Sequence, residues 1–366
     1  MRLIAILIFA WFSTAGHAQN TADSLLNFIA QNPKRSSIFL QVNGTPVAAL
    51  NENKLMPLAS TVKILVAVEF AKQSASSIIN QKAYIALNEL ERYHLPFTDG
   101  NAHVDWLTYE KKMQHTKGDS IQLINVARGM MMFSSNANTE YLMELLGLDN
   151  VKNNIQLLGI KQHTPVFPLV ASLFIYQNPR KENEEKIIKE IKKLSNEAYG
   201  RYIYDIHKAL TYNDSLKAKF KLQDLTENMQ HTWSNRLPAS TTKDYATAVA
   251  VLNNRKFFSE AAYSVLMDVM EFLMEDPANQ QWLKHSGMKG GSTAWVLTNV
   301  VYATKKDNTA IELAYFFNEL TPAENKKLQK WSNAFLLKTL LDNDFRNKMA
   351  ILFKPLPTTN TKKKKA

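Results

Sequence analysis

Residues 60–73 read STVKILVAVEFAKQ, a strongly apolar run with no Gly or Pro to break it. A helix of that composition has little polar surface to turn toward water, so it must be wrapped by other elements. The run therefore predicts a buried helix starting near Ser60, and the rest of the chain has to cover it. With 366 residues, 45% hydrophobic and 21% charged, the chain has the composition of an ordinary globular protein. That length allows one large domain or two modest ones.

The elements on either side differ in kind. Residues 21–32 read as a short helix with Leu25, Leu26, Phe28 and Ile29 on one side. Residues 37–42 and 46–50 alternate about Asn43-Gly44-Thr45, which is a hairpin signal. Polar, aromatic-rich sequence runs to about Gly118. Asp119 and Ser120 then read as the cap of a helix to Phe133, followed by a helix over about 138–146. In 180–193 (RKENEEKIIKEIKK) Glu182 stands four before Lys186 and Glu185 four before Lys189. With Ile187, Ile191 and Leu194 on one face, this charge run is a solvated amphipathic helix rather than a nucleic-acid patch. Residues 295–303 and 309–317 are strand-like around a turn at 304–308, and a final helix covers about 323–341. The basic tail 355–366 is expected to be disordered. Strands at both ends and helices between them predict an α/β (α+β) fold, an antiparallel sheet flanked by helices. The sheet domain takes residues 19–80 and 240–350, and an all-helical domain is inserted at 81–239, with an extra helical insertion at about 179–229.

The formal net charge is +11, but Arg2 and the lysines at 362–365 carry five of those charges. What remains is mild and reads as solubility, with no nucleic-acid partner. There is no Cys, which excludes disulfides, thiolate metal sites, cysteine nucleophiles and a lipoprotein anchor. Met1-Arg2, an apolar run over 3–12 and the small-x-small ending at Ala18 read as a signal peptide, residues 1–18. The apolar run is too short to span a bilayer. The expected mature protein is 19–366, periplasmic or secreted, without stable membrane insertion.

Three segments carry chemistry. Ser60 and Lys63 are three apart at a helix start, so they share a face and the amine can reach the hydroxyl. Burial against Leu65 and Val66 disfavours the ammonium and frees Lys63 to act as a base. The helix N-terminus favours an oxyanion formed there. Ser286-Gly287-Met288-Lys289 fits the same S-x-x-K spacing without a helix around it. Ser134-Ser135-Asn136 lies between two helices, where Ser and Asn are also ordinary turn residues. His285-Ser286-Gly287 opens a strand-like stretch running into Gly290-Gly291-Ser292, whose glycines would let a substrate lie close to the strand.

In this order and setting the segments resemble the active-site serine acyltransferases that include class A β-lactamases and penicillin-binding proteins, with motifs S-x-x-K, S-x-N and K-T/S-G. PLASTVK at 57–63 matches the nucleophile helix and FSSNAN at 133–138 the helical-domain motif. Ser240-Thr241-Thr242-Lys243-Asp244-Tyr245 resembles the segment re-entering the sheet domain, and His285-Ser286-Gly287 opens the innermost strand. The resemblance implies that Ser60 attacks the carbonyl, with Lys63 taking its proton directly or through water. It implies that Ser134 relays a proton to the leaving nitrogen and that Asn136 binds the acylamino side chain. His285, Ser286 and Gly287 would face the substrate carboxylate, and the N–H groups of Ser60 and Met288 would form the oxyanion hole. No metal or organic cofactor is implied. The implied activity is hydrolysis of β-lactams or D-amino-acid amides through an acyl-enzyme. The alternatives are a D,D-peptidase or penicillin-binding protein acting on peptidoglycan peptides, and a non-catalytic cell-wall peptide or β-lactam binder.

Three departures stand out. Ser135 occupies the place of the Asp common in class A enzymes. His285 replaces the usual Lys, which would make carboxylate recognition depend on pH. No E-x-x-L-N motif, which carries the glutamate that activates the deacylating water, precedes Ser240. Glu227 is the acidic residue at a plausible distance before Thr241.

Overall fold

The computed structural model describes residues 15–177 and 183–355, with side chains from Thr21 onward. Most of the expected signal peptide, the start of the 180–193 charge run and all but Pro355 of the expected tail lie outside the described residues. Ala15 to Ala18 form the first turn of the helix Ala15–Gln31.

Five strands form the main sheet: β1 (Ser36–Val42), β2 (Thr45–Leu50), β3 (Leu283–Ser292), β4 (Leu297–Lys305) and β5 (Ala310–Phe317). Their order is β2-β1-β5-β4-β3, and each neighbouring pair is antiparallel. The β1–β2 turn has Asn43 and Gly44 at φ 50° and 75°, the left-handed pair that a two-residue hairpin of the right twist requires. The expected innermost strand, β3, is an edge strand, so one of its sides is open. Thr293 N–H donates to Val296 O (3.0 Å), closing the β3–β4 hairpin, so β4 begins at Leu297 rather than at 295.

Strand side chains alternate between two cores, as the pleat demands. Ile311, Leu313, Tyr315 and Phe317 of β5 pack with Leu25, Leu26 and Ile29 and with Leu328 and Phe335 of the helix Pro322–Leu341. Ala314 and Phe316 face the other core, with the helix Lys63–Ala75. That helix is buried from Lys63 to Ala71 and packs against the helices Leu123–Met132, Asn136–Leu146, Leu148–Leu157 and Glu260–Met270. A further helix, Asn343–Leu352, follows the expected last one, and Phe353 O accepts from Ala49 N–H of β2 (2.8 Å).

Asp119 and Ser120 do not cap a helix. Ser120–Gln122 is the middle strand of a small ribbon, between Tyr84–Ala86 and Thr116–Lys117. The helix Leu123–Met132 has no side-chain cap. Its first N–H groups, at Leu123 and Ile124, donate instead to Ala83 O (2.9 Å) and Gln81 O (2.8 Å). Neighbouring main chain thus satisfies the donors that every helix leaves unpaired at its start.

Residues from 167 to 229 build a third core, including Phe167, Leu173, Tyr176, Ile188, Ile191, Tyr199, Ile203 and Met229. The amphipathic run forms the helix Glu184–Lys193, capped by Asn183, whose side chain accepts from Lys186 N–H.

Candidate active site

Ser60 lies in a 3-10 turn, Ala59–Val62, that leads into the helix Lys63–Ala75. The turn is tightly held. Leu58 N–H donates to Pro238 O (2.8 Å), while Thr298 Oγ1 on β4 donates to Leu58 O (2.8 Å) and meets Thr61 Oγ1 at 2.7 Å. Gly291 on β3 passes so close that a Cβ there would lie 2.6 Å from both Leu58 O and Ser60 N. Only glycine permits this approach. Two non-glycine residues here have left-handed backbone, Ala59 (φ 46°) and Ser134 (φ 69°). Each such conformation costs about 1–3 kcal/mol and persists where surrounding structure imposes it.

Lys63 is fully buried. Its Nζ donates to Ser134 O (2.6 Å), Asn136 Oδ1 (2.8 Å) and Ser134 Oγ (3.2 Å). The first two motifs therefore meet at one amine. Burial holds the Lys63 pKa well below the usual lysine value, and the charge of Lys289 pushes in the same direction. Ser135, between the two contacting residues, caps the helix Asn136–Leu146 by accepting from Asn138 N–H (3.2 Å).

The third motif is not where the resemblance put it. Lys289 Nζ donates to Ser134 Oγ (3.0 Å) and to Gly290 O (2.8 Å), and burial pushes its pKa down to about 7. Lys289 is thus the β3 residue joined to Ser134, and Gly291 is the one that lies against the main chain of Ser60. His285 is four residues down the strand, about 13 Å away at the usual rise. There its Nδ1 lies 3.8 Å from Glu271 Oε1, and its ring is 6.4 Å from that of Tyr302. Burial, with Arg255 and Lys284, lowers its pKa to about 4, so it is neutral where a carboxylate partner would need it charged. Ser286 Oγ donates to Tyr302 O (2.9 Å), and Gly287 packs against the Tyr302 ring. Met288 pairs with Val301 and packs in the opposite core. None of these four residues reaches Ser60.

The open edge of β3 decides which main-chain N–H groups are available. Thr293 is bonded to Val296 across the hairpin, and antiparallel pairs alternate. Gly291 therefore faces β4, while Ser292 directs its N–H to the open side. Ser60 N–H precedes the first bond of its own turn, from Thr61 N–H to Leu58 O (3.0 Å).

Glu227 is exposed at the start of the helix Glu227–Asn235, beside the Glu184–Lys193 helix, to which its neighbour Asn228 bonds through Glu184 (2.8 Å). It belongs to the third core's surface and not to the site. Asp99 and Glu140 are the carboxylates whose charge reaches Lys63. Asp99 accepts from His103 N–H and Asn136 N–H, and Glu140 from Val170 N–H and His207. Among the described residues no carboxylate hydrogen-bonds to Ser60 or Lys63. Sequence reasoning marked Gly290-Gly291-Ser292 for close approach through its glycines but gave no site role to Lys289, to the Ser292 N–H or to Thr298. The signal for Lys289 was the Lys-Gly-Gly run just before the hairpin turn.

The sequence model of the β-lactamase enzyme family matches residues 20–272, a span that holds Ser60, Lys63, Ser134 and Asn136. A comparison with curated proteins returns no match. Among solved structures, a representative class A β-lactamase from Bacteroides cellulosilyticus aligns with a TM-score of 0.51 at 12% identity, over 89% of this chain and 99% of its own. A class A β-lactamase from Mycobacterium abscessus aligns with a TM-score of 0.52 at 12% identity, over 87% and 99%. A PBP-A mutant in an acyl-enzyme complex with penicillin G aligns with a TM-score of 0.50 at 13% identity, over 88% and 97%. At such identities the likeness is one of fold.

Proposed function

Since the chain belongs to the β-lactamase enzyme family, we propose that it is an exported serine hydrolase acylated at Ser60 by β-lactams or related D-amino-acid amides, and that it releases the acyl group slowly. The observation that carries the first half is the convergence of Lys63, Ser134, Asn136 and Lys289 on one another, with Lys63 one turn on from Ser60. A neutral Lys63 keeps two N–H bonds, which suffice for Ser134 O and Asn136 Oδ1. Its lone pair is then free for the proton of Ser60, directly or through water. Ser134 Oγ, held between two lysines, passes a proton to the leaving nitrogen. Lys289 as a cation receives the substrate carboxylate, and Ser60 and Ser292 N–H groups receive the oxyanion, in the place first given to Met288. Asn136 receives the acylamino side chain.

The second half rests on the missing base. Hydrolysis of an opened β-lactam, whose leaving group stays tethered, needs an activated water. Glu227 lies on another surface, and no described carboxylate bonds to the reacting groups. The same observation favours, as a second reading, a penicillin-binding protein that acts on peptidoglycan peptides. Residues 1–18 are proposed as the export signal, giving a periplasmic or secreted protein with the sheet domain at 19–80 and 240–350. No helix among the described residues is long and apolar enough to cross a membrane.

Intact-mass measurement over time with benzylpenicillin tests both halves. The expected result is a Ser60-dependent adduct that forms early and decays slowly, absent in Ser60→Ala. An adduct that survives Ser60→Ala removes the nucleophile assignment. Fast turnover without an adduct removes the slow release. A cephalosporin consumed catalytically favours the hydrolase, and a stable adduct without turnover favours the peptidoglycan reading.

A further inference from the structure

Beside the Ser134-Ser135-Asn136 turn, but outside the reacting groups, lie Glu91, His94 and His103. Glu91 ends the short helix Leu87–Glu91, His94 follows three residues on, and His103 starts the helix Ala102–Lys112. Their ligand atoms all lie within 4.8 Å of one another. His94 Nδ1 is 3.1 Å from Glu91 Oε2, and His103 Nε2 is 3.4 Å from Glu91 Oε1. Ligand atoms ~2.0–2.1 Å from a tetrahedral zinc are about 3.3–3.4 Å apart, and each imidazole already stands at about that distance from one of the two carboxylate oxygens.

The second observation is the state of His103. Its side chain is only 1% exposed, and its buried Nε2 faces Glu91 Oε1 at 3.4 Å without a hydrogen bond of good geometry. The other nitrogen, Nδ1, is 2.9 Å from Ser135 Oγ. A histidine with one ring nitrogen fixed by a hydrogen bond, the other facing a carboxylate, and a second imidazole ring 4.7 Å from its own has the arrangement of a metal ligand with its supporting partner. The nearby cations do not occupy the carboxylate. Arg92 pairs with Glu89 (3.0 Å), and Lys217 donates to the main-chain oxygen of Glu91. Glu91 and His94 are partly exposed, so an ion can enter and keep a water as its fourth ligand.

We propose that Glu91, His94 and His103 form a binding site for a divalent cation of the zinc class, with Ser135 as the supporting partner of His103. Two imidazoles and one carboxylate are a donor set suited to zinc, whereas calcium and magnesium favour oxygen ligands. With the ion on Nε2, His103 Nδ1–H must donate to Ser135 Oγ. That bond ties the ion to the turn carrying Ser134 and Asn136.

The test uses the purified protein without an affinity tag, stripped with EDTA and titrated with zinc by calorimetry, with cobalt absorption as a second readout. The expected results are one ion per chain, a tetrahedral cobalt spectrum and a rise in Tm with zinc. His94→Ala and Glu91→Gln, both at partly exposed positions, should each weaken zinc affinity about tenfold or more with an unchanged circular dichroism spectrum. No saturable binding overturns the proposal, and so does binding that persists undiminished in both variants. Because no substrate is involved, the outcome is independent of acylation at Ser60.

Discussion

At the residue scale the proposed function turns on which side chain of β3 would meet a substrate carboxylate. Lys289 touches Ser134, whereas His285 sits beside Glu271 and Tyr302. Removing a buried charge from its partner typically costs about 2–5 kcal/mol, so Lys289→Ala should slow acylation by penicillin about 30-fold or more. His285→Ala should leave the rate nearly unchanged. Adduct formation followed by mass or by a fluorescent penicillin compares the two. The pH dependence has a definite sign. Burial lowers the Lys289 pKa to about 7, so the cation is present below that value and lost above it. The acylation rate should therefore fall as pH rises through about 7. Lys289→Arg, charged throughout, should remove that alkaline limb, while His285→Ala should keep it.

At the element scale the third core depends on a clasp between helices. The Arg236 guanidinium lies over the Tyr199 ring, 4.1 Å from its centroid. It donates to Ile191 O (2.6 Å) and Leu194 O (2.9 Å) at the C-terminal end of the Glu184–Lys193 helix. There it reinforces the last carbonyls of the helix, sharing Ile191 O with Leu194 N–H (3.1 Å). Arg236→Ala should destabilise this region by about 1–3 kcal/mol. Hydrogen exchange should accelerate over 183–194 and 196–211 while the main sheet keeps its protection. Lysine should rescue poorly, since it cannot fork to two carbonyls while stacking on the ring.

At the scale of the whole molecule, the third core is joined to the helix behind the Ser134 turn through a buried ionic contact. His207, on the helix Asn196–Thr211, lies 3.1 Å from Glu140 and 3.5 Å from Glu144. Burial alone would lower the His207 pKa, but its bonds to Glu140 and Glu144 outweigh that and raise it to about 9. The folded protein thus holds this proton more tightly than the unfolded chain, whose value is about 6.5. The stabilisation is complete below about 6.5 and disappears as pH rises through about 9. Urea midpoints should decline across that interval, and His207→Gln should flatten the decline.

Much of this was legible in residue order because it depends on neighbours within one turn or one pleat. The apolar run after Ser60 announced a buried helix, and Asn43-Gly44 announced a hairpin. Ser60 and Lys63 stand one turn apart by spacing alone, and Ser134 and Asn136 share one turn. Other features needed contacts between distant segments. Residues 285, 287, 289 and 291 all lie on one face of β3, and nothing local says which of them stands opposite Ser60. The β3–β4 register and the close passage of Gly291 over Leu58 and Ser60 put that glycine there, and Lys289, on the same face, at Ser134. Likewise Ser120 has the chemistry of a cap, but Gln81 and Ala83, just before the ribbon, offer their carbonyls to the helix, and pairing with Tyr84–Ala86 draws Ser120 into a strand. Glu227 stood at a plausible count before Thr241, yet the third core carries it to another surface. Periodicity determined the elements and half of the site. The pairing of remote strands and cores decided the rest, because side-chain direction repeats every second residue and only tertiary contact selects among the repeats.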